Sequence, residues 1–355
     1  MAAADGTLPD GVVLIDSATG PVRSDQLGLT LSHEHLANSI AVGGVEADPH
    51  YPELFDRPVT ASDAWLLRER PYSSLDNTVL DNDAAMLDEL LAFRAIGGST
   101  VVEVTSFGQG RSPARVKALA EKSGVTIIMG GGFYLERFHP SGSDAWSVDE
   151  MAGQLLRRYR PQGAEDGVIP GLIGEIGVSP AFTDREANSL RAACLVQLEV
   201  HKPLMIHLPG WLRRGHEVLD IVLDEFGVDP RAVVLAHMDP SGTDPDYQAS
   251  IADRGVWTEF DMIGMPHLFP GEGQAPSPPE SAAAIARLVE RGNADQILMS
   301  HDLFLKSMMR TNGGNGLLYV PTLFGDRLRD AGVDGAIVAG LLTANPRALF
   351  EAAAL

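Results

Sequence analysis

Short apolar, β-branched runs alternate along this chain with longer stretches whose apolar positions recur at helical spacing. The runs are LGLTLS (27–32), TVVEVT (100–105), VTIIMG (125–130), GLIGEI (171–176), PLMIHL (203–208), AVVLAH (232–237), VWTEFD (256–261) and ILMSHD (297–302). Helices are predicted between them over 82–97, 112–124, 147–159, 184–202, 216–227, 244–255 and 277–292. Several of these start at Asn, Ser or Asp and stop at Gly, the usual capping asymmetry. A last helix is predicted over 335–353, broken near Pro346. Eight strand–helix repeats predict an α/β fold, a (β/α)8 TIM barrel, with an open doubly wound sheet as the competing arrangement. No repeat of fixed period and no linker interrupts the pattern. One barrel domain over 1–355, with a short N-terminal extension to about residue 25, is therefore expected. Three connections are too long to be simple: 38–80, 262–279 and 303–335. All follow strands, on the side where barrel enzymes build their sites.

Composition narrows the functional classes. A chain of 355 residues, 45% of them hydrophobic, can bury a large core. A net charge of −21 argues against nucleic acid and against an anionic membrane surface, because neither attracts such a chain. Cys194 is the sole cysteine, which rules out an intrachain disulfide and a thiolate zinc site. The N-terminus MAAADGTLPDG has no basic segment followed by an apolar one, and no run approaches a membrane span. A cytoplasmic protein acting on a small molecule is expected, with a homodimer as its assembly.

The chemistry lies where the strands stop. In GLTLSHEHLANS (28–39), His33 and His35 share one face of a strand and Glu34 takes the other. Strand four closes on Glu175, strand five on His207, strand six on His237 and strand eight on Asp302. In a closed barrel those ends converge on one mouth. A set composed of His, Glu and Asp at five of eight ends points to a metal centre. Six ligands exceed one tetrahedral site and suit two divalent ions sharing a carboxylate. Zinc is the expected metal, with manganese, cobalt or iron as alternatives. Two close ions lower the pKa of a water between them and polarise a carbonyl or phosphoryl oxygen, which is machinery for hydrolysis.

In the motifs TLSHEH, GLIGEIG, PLMIHLPG, VVLAHMD, ILMSHD and the closing NPRALF, the sequence resembles the phosphotriesterase family of the amidohydrolase superfamily, from about residue 20 to the C-terminus. The resemblance implies that His33, His35 and Asp302 hold a more buried ion and that His207 and His237 hold a more exposed one. Glu175 would bridge them, where many members carry a carboxylated lysine. Asp302 would also accept the proton of the bridging water. Tyr134, in GGGFYLE, matches an aromatic position of the substrate site that is Tyr in lactonases.

The sequence departs from that pattern where paraoxon-hydrolysing members carry a proton-relay pair. Met262 and Pro240 stand at those positions, and Met262 also replaces an Arg common in lactonases. A lactone or other carboxylic ester is the expected substrate. An N-acyl amide or a phosphotriester on the same site is the enzymatic alternative, and a barrel that binds without turnover is the non-enzymatic one. His301 and Glu34 are expected to point away from the barrel axis. His50, His139, His201, His216 and His267 read as surface or capping residues, with His267 also within reach of the site from its long loop, GGG at 130–132 as a close-packed barrel turn, and Cys194 as core.

Overall fold

A computed structural model describes residues 8–355 of the chain, so part of the expected N-terminal extension lies outside the described residues. Eight parallel strands form the barrel: β1 Leu29–Glu34, β2 Gly98–Glu103, β3 Thr126–Met129, β4 Ile173–Gly177, β5 Leu204–His207, β6 Val233–Leu235, β7 Trp257–Phe260 and β8 Ile297–Met299. Regular pairing runs β1-β2-β3 and β4-β5-β6-β7-β8. Backbone bonds close the ring at two seams. At β3/β4, the N–H groups of Gly171 and Gly174 donate to Met129 O and Gly131 O at 2.8 and 3.0 Å. At β8/β1, Asp302 N–H donates to His33 O at 3.1 Å and His35 N–H to Leu303 O at 3.2 Å.

The predicted helices form at Asp83–Ala95, Pro113–Ser123, Val148–Arg158, Asp184–Val200, Pro245–Ala252 and Pro278–Arg291. The stretch expected over 216–227 begins as an α-helix, Gly215–Leu219, and widens to π geometry over Asp220–Glu225. The last helix is interrupted at Thr343 rather than at Pro346. Pro346 falls in the first turn of Ala344–Ala353, where its missing N–H costs no helical bond. The long connections are partly ordered into elements. Residues 262–279 carry a small hairpin pairing Leu268–Phe269 with Gly273–Gln274, and 303–335 holds the helix Gly325–Asp330.

The inside of the barrel is packed, not open. Val102, Ile128, Leu172, Met205, Val234, Trp257 and Leu298 form one buried cluster, with Ile15 and Phe350 packed on it. The predicted close turn at 130–132 is present. A Cβ on Gly130 would lie 2.4 Å from Gly174 O, and one on Gly132 would lie 2.8 Å from Glu175 O, so only glycine lets β3 approach β4 here.

Glu34 and His301 point away from the axis, as expected, and are buried there as a pair. His301 Nδ1 lies 2.6 Å from Glu34 Oε1, which also accepts Ser300 Oγ–H at 2.8 Å and His301 N–H at 3.0 Å. Glu34 Oε2 accepts Leu303 N–H at 2.9 Å. Burial alone raises the Glu34 carboxyl, but His301 and these donors outweigh it and hold the group below the usual value.

One histidine differs from expectation. His267, read as surface or capping, is 2% exposed. Its Nδ1–H donates to Leu67 O at 3.1 Å, because the hairpin loop folds back over the segment that follows β1. Cys194 is buried as expected, and burial pushes its thiol up to about 12.

Two outcomes follow for stability. Glu34→Ala should lower unfolding free energy by about 3–5 kcal/mol, the usual cost of stranding one member of a buried pair, measured by denaturant titration. Burial lowers the His267 pKa to about 4. Between that value and the unfolded value near 6.5, the unfolded chain binds a proton that the native chain excludes. This residue therefore removes stability as pH falls through that window, by about 3 kcal/mol in total. His267→Gln should flatten that part of the stability-versus-pH curve.

Candidate metal centre and active site

The strand ends converge as expected, and Glu175 stands in the middle. Its Oε1 lies 3.3 Å from His33 Nε2, 3.3 Å from His207 Nδ1 and 3.4 Å from His237 Nε2. Its Oε2 lies 3.7 Å from His35 Nε2. Asp302 Oδ1 is 3.2 Å from His35 Nε2 and 3.7 Å from His33 Nε2. All six predicted ligands thus meet in one place.

Two of them get there by leaving the strand geometry. His237 and Asp302 lie just past the ends of β6 and β8, with φ of 59° and 50°. These are left-handed values that cost a non-glycine residue about 1–3 kcal/mol. Neighbours hold both turns. Asp261 Oδ2 accepts His237 N–H at 2.9 Å, and His33 O accepts the amide of Asp302.

A second layer of acceptors fixes the rings. Asp261 Oδ1 takes His237 Nδ1–H at 2.7 Å. Glu259 Oε2 and Asp261 Oδ2 face His33 Nδ1 at 3.1 and 3.4 Å. Thr105 Oγ1 lies 2.9 Å from His35 Nδ1 and donates in turn to Glu103. With the Nδ1 atoms of His33 and His237 held by carboxylates, their Nε2 atoms face Glu175. His207 has no such carboxylate behind it. It is the more open of the four, with 18% of its side chain exposed, and the Tyr134 hydroxyl lies 3.2 Å from its Nδ1.

Electrostatics separates the groups. Burial disfavours imidazolium at both His33 and His237, but carboxylates reverse it: Glu175 and Asp261 at His33, Asp261 at His237, each held well above the ordinary range. His207 moves the other way, lowered by burial and by His237. Burial would raise Glu175, yet the surrounding histidines hold it well below the usual carboxylate value. Burial leaves Asp302 raised, with His35 and His33 opposing.

The donor set fits divalent cations. His33 Nε2 is fully buried with no hydrogen-bond partner, 3.3 Å from a carboxylate oxygen. A buried ring nitrogen without a partner is costly, and a cation bound at its lone pair would satisfy it. The trios His33–His35–Glu175 and Glu175–His207–His237 each bring ligand atoms within metal-binding reach, and they share Glu175. A third trio, His33–His237–Asp261, uses Nδ1 atoms already bonded to Glu259 and Asp261, so it belongs to the supporting layer.

Sequence reasoning missed Asp261 and Glu259. The signal was in VWTEFD: two acidic residues at alternate positions of an otherwise apolar strand must share its inner face. Asp239, after His237, is likewise buried, accepting Met262 N–H at 3.1 Å and Ser281 Oγ–H at 2.8 Å.

Over these groups opens a cavity of about 100 Å³ that leads to solvent. Tyr134 and Met262 line it, as do the aromatic side chains of Tyr72, Trp211, Phe269 and Phe304. Pro240 is buried and lies outside the lining.

The model of the phosphotriesterase family matches residues 13–350. N-acetyltaurine hydrolase of Xenopus tropicalis is 30% identical over 338 residues, covering 94% of this chain and 96% of that protein. Among solved structures, a resiniferatoxin-binding protein from Rhodobacter sphaeroides superimposes with a TM-score of 0.91 at 40% identity, over 96% of both chains. The phosphotriesterase homology protein of Escherichia coli, solved with phosphate in its active site, gives a TM-score of 0.75 at 25% identity, over 92% of this chain and 99% of that one.

Asp261 accepts two donors from one residue, the amide and the ring of His237. Asparagine offers a single acceptor oxygen, so Asp261→Asn must leave one donor buried and unpaired. Zinc affinity, read by competition with a chromogenic chelator, should fall by about 10–100-fold while the circular dichroism of the barrel persists.

Proposed function

This chain belongs to the phosphotriesterase family, and from that premise we propose that it is a binuclear metal-dependent hydrolase of carboxylic acyl bonds, with an N-acyl amide as its substrate. The observation that carries the hydrolase reading is the placement of Glu175 between two histidine pairs under one cavity. The similarity to N-acetyltaurine hydrolase across nearly the whole chain favours the amide. His33, His35 and Asp302 would hold one divalent ion and His207 and His237 the other, with Glu175 shared. Bound there, such ions supply an activated water and an electrophile for the acyl oxygen.

The chain's own groups do the rest. Asp302 is the buried carboxylate at the cavity floor with a raised pKa, suited to take the proton of the attacking water at Oδ and hand it on. An amine is a poor leaving group until it is protonated, so amide cleavage needs that transfer more than ester cleavage does. Asp261, Glu259 and Thr105 keep three imidazoles from turning. The aromatic walls exclude bulk water and favour an apolar acyl or amine portion. Burial raises the Tyr134 hydroxyl well above its ordinary value, so it stays protonated beside His207 and can donate to the acyl oxygen.

The lactone or ester expected from the sequence remains the second reading. Its specific support is Tyr134, a Tyr at the position of the lactonase resemblance, which lines the cavity beside His207.

Zinc-, manganese- or cobalt-reconstituted protein should hydrolyse N-acyl amides faster than lactones or organophosphates in a side-by-side screen. A preference for lactones would reverse the two readings, and no turnover with any metal would leave the non-enzymatic one. Asp302→Asn should lower kcat on amides by about 10²–10⁴-fold, with a smaller loss on activated esters.

A further inference from the structure

The cavity over the catalytic groups holds one basic side chain outside the histidine cluster. Arg137 lies three residues beyond Tyr134 on the loop after β3, and it is exposed at the mouth, whereas Glu175 at the floor is 1% exposed. Most arginines of this acidic chain are paired: Arg57 with Asp63, Arg185 with Asp144, Arg310 with Glu89. Among the described residues Arg137 makes no ion pair and no side-chain hydrogen bond. Its guanidinium only covers the Phe138 ring, 5.1 Å from the centroid. Glu272, from the hairpin loop, also lines the cavity, is exposed and has no side-chain partner among the described residues. Both charges act on the Tyr72 hydroxyl, Glu272 raising and Arg137 lowering its pKa, so both flank the same stretch of the mouth.

We propose that the substrate carries an anionic group, a carboxylate or sulfonate, at the end remote from the scissile bond, and that Arg137 binds it. The proposal rests on the acyl-hydrolase reading above. A net charge of −21 repels anions at a distance, so an anionic substrate gains from a local cation at the mouth. Guanidinium suits the task because it offers parallel N–H donors to two oxygens of one anion. Its stacking on Phe138 holds the fork without consuming those donors. Glu272 on the same stretch opposes the anion and keeps selectivity from resting on charge alone.

The test uses the metal-reconstituted full chain and three matched N-acetyl amides: N-acetyltaurine, N-acetyl-β-alanine and neutral N-acetylethanolamine. Arg137→Gln should reduce the preference for the two anionic compounds over the neutral one by about tenfold, through KM rather than kcat. Arg137→Lys should recover part of that preference. Glu272→Gln should move it the opposite way, lowering KM for the anions. The sulfonate and carboxylate compounds show which anion is preferred. A ratio that Arg137→Gln leaves intact would overturn the proposal, as would an equal loss on all three compounds. If none of the three is hydrolysed, the amide reading falls. Calorimetric binding of the same compounds then decides: tighter binding of the anions, lost in Arg137→Gln, upholds the anion site, and equal binding rejects it.

Discussion

The carboxylate of Glu34 takes four bonds from the turn that follows the last strand, and those bonds tie the histidines of the first strand in place. Glu34 works on the outer face of the barrel and His33 and His35 on the inner one, as alternation along a strand requires. One tripeptide therefore does two jobs. Its middle residue locks β1 to the segment after β8, and its outer residues bring Nε2 atoms to Glu175 and Asp302. Were the ring to part at this place, the ligands of β1 would separate from Asp302 before any of them changed conformation.

Inside that ring the sequence has concentrated charge where burial is most costly. Glu175, Glu259, Asp261 and Asp302 are all under a tenth exposed, among four imidazoles. An isolated carboxylate would be driven to its neutral form in such a place. Here each faces histidine nitrogens, and the result is graded. Glu175 and Asp261 are held low, whereas burial lifts Glu259 to about 7. The floor of the site is thus anionic at its centre and less so beneath. This suits a group of positive charge at Glu175 rather than at Glu259.

Much of this was legible in the chain. The eight apolar runs gave the strands, and the residues closing those runs gave the six groups that meet around Glu175, although His237 and Asp302 reach it from turns just past β6 and β8. What escaped notice depended on contacts between distant segments. His267 looks like any loop histidine until the hairpin folds its ring against Leu67. The last helix breaks at Thr343, which leaves helical geometry, whereas Pro346 is tolerated in the turn that follows. Asp261 closes VWTEFD just as Asp302 closes ILMSHD and was equally readable, whereas Glu259, two residues earlier on the same face, lies within β7 below its end. Arg137 carries no motif at all; only the cavity wall gives it meaning.

The barrel is sewn at two places, and both stitches end on chemistry. The β3/β4 seam closes through the amide of Gly174, next to Glu175, and the β8/β1 seam through the amide of Asp302 and the carbonyl of His33. Breathing of the ring at either seam is therefore the same motion as disassembly of the site. A cation gripped by Glu175, His33 and Asp302 would act as a rivet across both, and its binding energy would appear as slowed hydrogen exchange at those two amides. Occupancy of the centre and mechanical closure of the barrel are, in this fold, one variable.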